Sequence, residues 1–164
     1  MKKTSPFVSL VLCAALFAGP AHADDFDCSN RIGRAAIDGN LRVPSGARCT
    51  LDGTRIGGNI KVGRGATLEA HNIRVGGNIQ AEGAHKVAVI RSRVGGNIQL
   101  KQGGRARIEA AEVGGNIQLF SNRSAIRVGQ NREGRNLQCK ENRDSPTGGW
   151  NRVHGNKEDQ CARL

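Results

Sequence analysis

Seven asparagines recur at nearly constant intervals in this 164-residue chain, and no other feature restricts its fold as much. They are Asn40, Asn59, Asn78, Asn97, Asn116, Asn136 and Asn156, spaced 19, 19, 19, 19, 20 and 20 residues apart. The sequence Val-Gly-Gly-Asn-Ile-Gln-Leu fills positions 94–100 and 113–119, close variants fill 75–81 and 56–62, and looser copies fill 37–43 and 133–139. Self-similarity at a period near 20 residues marks a solenoid in which each copy is one coil stacked on the next.

Within a coil the apolar residues alternate. Val87 and Val89 flank Ala88, Val94 precedes the Gly-Gly pair, and Ile98 and Leu100 flank Gln99. Period-two alternation is a strand signal, so each coil holds two or three short strands. Stacking one coil per strand spacing gives in-register parallel sheets. The predicted fold class is therefore all-β, a single-stranded parallel β-helix of about 19 residues per coil. The Gly-Gly pair is expected to make a sharp corner through positive φ. The asparagine after it is expected to stack on its copies and satisfy corner amides, so Asn40, Asn59, Asn78, Asn97, Asn116 and Asn136 form a structural ladder.

Residues 1–23 read as a secretory leader outside the fold: Lys2 and Lys3, an apolar run from Phe7 to Ala18, and the small-residue cleavage pattern Ala21-His22-Ala23. That places the mature chain in a periplasm or the medium, with no transmembrane segment after cleavage. Residues 24–36 read as an N-terminal cap, 37–139 as coils, and 140–164 as a C-terminal loop and cap. In an oxidising compartment disulfides are the default. Four cysteines remain beyond the leader, Cys28, Cys49, Cys139 and Cys161. They allow three pairings, and their positions at the two ends of the repeats favour Cys28–Cys49 and Cys139–Cys161. No CxxC pair suggests zinc.

The formal charge of +11 becomes +9 once Lys2 and Lys3 are removed, since the leader holds no Asp or Glu. Such a balance favours anionic partners. Candidate binding residues stack outward in successive coils: Arg55, Arg74 and Arg93 ahead of the corner, giving way to Glu112, and Lys61, Gln80, Gln99 and Gln118 between inward-facing neighbours. Lys86, Arg91, Arg105 and Arg107 add charge nearby. Arginine forks suit carboxylate or phosphate, so the expected partner is an anionic glycan or lipopolysaccharide. Nucleic acid fits less well, because no aromatics interleave the basic positions. Catalytic signals are thin. His71, His85 and His154 share no register, Glu69, Glu82, Glu109 and Glu112 are scattered, and calcium-binding nonapeptides, hexapeptide repeats and threonine rows are absent. No cofactor and no metal is implied.

The repeated Val-Gly-Gly-Asn-Ile-Gln resembles the glycine-asparagine coils of bactofilins, polymer-forming β-solenoids. The C-terminal residues Asn136–Asn142, Pro146–Gly149 and Gly155–Cys161 are similar to those of a family of small exported bacterial proteins. The resemblance implies fold and export rather than a mechanism. The expectation is a non-catalytic structural or binding module of the cell envelope or extracellular matrix. The alternatives are a lyase-like carbohydrate-active enzyme and a self-assembling envelope protein.

Overall fold

The structure, a computed structural model, describes residues 25–164. The predicted leader lies outside these residues. The chain winds through three parallel sheets, and most coils add one strand to each. Sheet A has eight strands, from Phe26–Asp27 to Lys157–Asp159; sheet B has seven, from Arg31–Ile32 to Thr147–Gly149; sheet C has seven two-residue strands, from Ala36–Ile37 to Arg152–Val153. About seven turns result, and at the usual strand spacing they make a rod roughly 34 Å long.

The register explains the period. Leu41, Ile60, Ile79, Ile98, Ile117 and Leu137 lie above one another in sheet A, and all are fully buried. Leu51, Ala70, Val89, Ile108 and Val128 form the matching column in sheet B, and Ile56, Val75, Val94 and Val113 that of sheet C. The core is a narrow stack of small aliphatics, each large one worth roughly 1.5–3 kcal/mol when buried. Among the described residues no phenylalanine or tryptophan is buried in it.

Strand pairing reaches both ends of the described residues: Phe26 pairs with Leu41 across a shortened first coil, and Arg152 and Lys157 add strands in the last one. The ends are covalently held by Cys28–Cys49 and Cys139–Cys161.

The corners differ from expectation in one respect. The repeated glycines after sheet C do not have positive φ. They are needed because the coils nearly touch there: a Cβ on Gly57 would lie 2.5 Å from the carbonyl oxygen of Asp38, and one on Gly58 2.5 Å from Oδ1 of Asn40. Gly95 and Gly96 would meet Gly76 O and Asn78 Oδ1 closer still. Positive φ falls instead at the other two corners, one residue per coil at each: Gly46, Gly65, Gly83, Gln102, Ser121 and Glu141 between sheets A and B, and Gly53, Asn72, Arg91, Ala110, Gln130 and Trp150 between sheets B and C.

Hydrogen bonds along the asparagine column run in one direction. The backbone N–H of Asn59, Asn78, Asn97, Asn116, Asn136 and Asn156 donates to Oδ1 of the asparagine one coil before, at 2.7–2.9 Å. Two further amide ladders support the other corners. Asn122, Asn142 and Gln160 form one between sheets A and B; Asn131 and Asn151 form the other between B and C.

Candidate functional site

Because successive side chains of a strand point to opposite faces, every buried column has an exposed one beside it. The eleven candidate binding residues divide among three faces rather than sharing one. Arg55, Arg74 and Arg93 stand on sheet C. Lys61, Gln80, Gln99 and Gln118 stand on sheet A. Lys86, Arg105 and Arg107 stand on sheet B, and Arg91 occupies the corner between B and C.

On the faces of sheets A and B most polar side chains pair with one another, although Lys61 on sheet A and Arg48 and Arg105 on sheet B have no carboxylate partner among the described residues. On sheet A the glutamines form a ladder: Nε2 of Gln80 donates to Gln99 at 3.0 Å, Gln99 to Gln118 at 2.6 Å and Gln118 to Gln138 at 2.7 Å, and Gln138 donates to Glu158. An amide carries both donor and acceptor, so a column of amides satisfies itself. On sheet B, Lys86 pairs with Glu69 at 2.7 Å. Glu109 accepts from Arg107 at 2.5 Å and also from Arg127. The hydrogen bond from Lys86 holds the Glu69 carboxyl below the usual range, and that from Arg107, aided by Arg127, does the same for Glu109. Arg91 donates to Asn72 at 3.2 Å.

Sheet C is different. Its outer column reads Arg55, Arg74, Arg93, Glu112, Arg132, Arg152 in consecutive coils. A guanidinium has donors and no acceptor, so arginines cannot ladder on one another, and like charges at strand spacing repel. Glu112 is the one internal answer, and it pairs with Arg93 at 2.5 Å. Arg55, Arg74, Arg132 and Arg152 have no carboxylate partner among the described residues.

The column is also a ridge between grooves. On one flank a groove of about 580 Å³ runs over Gly95, Gly114 and Gly134, walled by Arg93, Glu112, Arg132 and Arg152 and closed by His154. Those glycines lack side chains because the stacking forbids a Cβ on that side of the backbone, and their exposed backbone forms the floor. On the other flank lies a groove of about 310 Å³ between Arg74, Arg93 and the Asn72–Arg91–Ala110 corner. Toward the N-terminal end Arg34 and Arg55 border a third, of about 510 Å³.

Glu133 lies beside the first groove and has the least expected environment in the molecule. It takes the buried position of Val113 in the coil before and is 1% exposed. Neither carboxylate oxygen has a hydrogen-bond partner. Burial pushes its pKa up from 4.5 to about 7, opposed by the charge of Lys157, which occupies the inward column of the last coil.

The sequence reading missed Arg132, Arg152, Glu133 and the placement of His154. The signal was present. Arg132 precedes Glu133-Gly-Arg-Asn136 as Arg93 precedes Val94-Gly-Gly-Asn97, and Arg152 precedes Val153-His-Gly-Asn156 likewise. The one-residue insertions hid that alignment.

Among the described residues no group of three or more His, Cys, Asp or Glu could hold a metal ion, and no helix is long and apolar enough to cross a membrane. Together the sheets define a class, the disulfide-closed parallel β-solenoids. Beyond that class, no protein-family model, curated protein or solved structure matches the chain.

Proposed function

We propose that the chain is an exported, non-catalytic binding module of the cell envelope or extracellular matrix, and that it holds an anionic polysaccharide along sheet C. One observation carries this reading: a column of five arginines in six coils, four of them without a carboxylate partner among the described residues, flanked by grooves. A polyanion laid along the ridge would offset a repulsion that the fold otherwise leaves standing. Two disulfides and the leader-like N-terminus support an oxidising destination. The bactofilin-like repeat supports a structural setting. A lyase-like enzyme would require two accessible carboxylates along the groove. Glu112 is paired and Glu133 is buried, which favours binding over chemistry.

The test is titration of polygalacturonate at two ionic strengths by calorimetry. Affinity should fall as salt rises, because exposed charge pairs are screened. The double substitution Arg132→Ala/Arg152→Ala should weaken binding about tenfold or more, whereas Lys61→Ala on sheet A should leave it nearly unchanged. Binding that ignores salt, or that is equally sensitive to Lys61, would refute the assignment to sheet C.

A further inference from the structure

Trp150 is the only tryptophan in the chain, and its 89% exposure leaves it the least covered large apolar residue among the described residues. Exposure alone is ordinary. Its place in the repeat is not: the same left-handed corner position holds Gly53, Asn72, Arg91, Ala110 and Gln130 in the coils before it, and the last coil alone puts a broad apolar side chain there and leaves it uncovered.

Its neighbours give it a role. Trp150 closes the corner between sheets B and C in the last coil. Asn151, the next residue, is buried, and its Nδ2 donates to the Val128 carbonyl. Arg152 then emerges on sheet C beside Arg132, while His154 lies across that ridge from Trp150, in the glycine-floored groove. An exposed indole therefore stands two residues from the unpaired end of the arginine ridge. A broad apolar plate next to guanidinium forks is complementary to a pyranose ring, whose C–H face packs on the indole while a ring carboxylate or sulfate meets the cations. A lone plate cannot supply the succession of stacking surfaces used on single-stranded nucleic acid.

We infer that the last coil forms a terminal subsite for an acidic sugar residue, with Trp150 as the stacking platform and Arg132 and Arg152 as the anion-recognising groups. This inference rests on the reading of sheet C as an anion-binding face. It adds polarity to that face: the glycan would be anchored at the C-terminal end of the rod and extend toward Arg93 and Arg74.

Because the chain has a single tryptophan, its fluorescence reports this subsite alone. The probes are an oligogalacturonate, a neutral oligosaccharide of equal length and a single-stranded oligonucleotide. The oligogalacturonate should shift or quench Trp150 emission saturably, and the neutral sugar should do so far less. By calorimetry Trp150→Ala should weaken oligogalacturonate binding about tenfold, the size of one aromatic stacking contact, and Trp150→Phe should restore most of it. If oligogalacturonate binds with arginine-dependent affinity but leaves emission unmoved, and Trp150→Ala binds like wild type, the subsite is wrong while the ridge stands. Absence of binding at low salt overturns both. A neutral sugar acting equally, or an oligonucleotide shifting the emission where oligogalacturonate does not, also overturns the acidic-sugar subsite.

Discussion

Glu133 should make this protein less stable at neutral pH than at mildly acidic pH, and the size of the effect follows from its burial. In the folded chain its pKa is about 7, against 4.5 for an unburied glutamate. Below pH 4.5 both states hold the proton and the residue costs nothing through ionisation. Between 4.5 and 7 the unfolded chain ionises while the folded one does not, so stability falls as pH rises. Above 7 the full difference is paid, about 3 kcal/mol. For a domain of this size that corresponds to roughly 6–12 °C in Tm. Asp27, Glu69 and Glu109 run the other way, since ion pairs depress their pKa values and their contribution is lost as pH falls. Comparison with Glu133→Gln removes that background. The variant should melt close to wild type at pH 4 and about 6–12 °C higher at pH 8, followed by circular dichroism. Glu133→Val, which restores the residue type of Val113 and Val153, should be more stable at both. A wild-type-minus-Gln difference that does not change with pH would refute the reasoning.

Other substitutions separate the physical reasons given for the corners. Gly95→Ala should cost about 1–3 kcal/mol through overpacking against Gly76. Gly46→Ala, with open space around its Cβ but φ of +74°, should cost only about 1 kcal/mol; equal denaturant midpoints for the two would contradict the close-stacking explanation. Asn97→Ala should cost about 1–3 kcal/mol by depriving the Asn116 N–H of its acceptor, read from thermal melts. Replacing Cys28 and Cys49 by Ala should cost roughly 3 kcal/mol and loosen the first coil, which hydrogen exchange would localise to the strands near Phe26 and Arg31.

What the sequence made legible follows from what the coil geometry enforces. The inward columns and the Asn ladder repeat because each coil repeats the same backbone, so Ile60, Ile79, Ile98 and Ile117 announce themselves by spacing. The glycines announced a corner but not its reason: Gly57 and Gly95 are tight approaches, while the left-handed turns at the other two corners are borne by Arg91, Gln102, Ala110 and Ser121, whose side chains give no hint of it, as well as by glycine and Asn72. The second and third ladders were hidden because Ser92 and Asn131, or Gly103 and Asn122, share a column without sharing a residue type. The binding candidates were legible as outward-facing but not as belonging to different faces. Assigning faces requires knowing where each coil turns, and the corners of this fold carry few common residues apart from Gly-Gly-Asn.

The contrast between sheets A and C bears on function. Both stack polar side chains outward at strand spacing, yet the glutamines of sheet A gain a bond with every coil added, whereas each further arginine on sheet C adds repulsion. A column that served solubility alone could have been built of amides, as sheet A demonstrates. Keeping Arg132 and Arg152 after Glu112 has already neutralised Arg93 therefore leaves a strain that an external anion can relieve. Relief of that strain is coupled to folding: a polyanion that binds only the wound coil should raise Tm in proportion to the logarithm of its concentration. The increment should shrink in Arg132→Ala/Arg152→Ala even though the unliganded variant, freed of repulsion, melts at or above wild type. Opposite shifts of unliganded stability and ligand response are what a purely solubilising column would not produce.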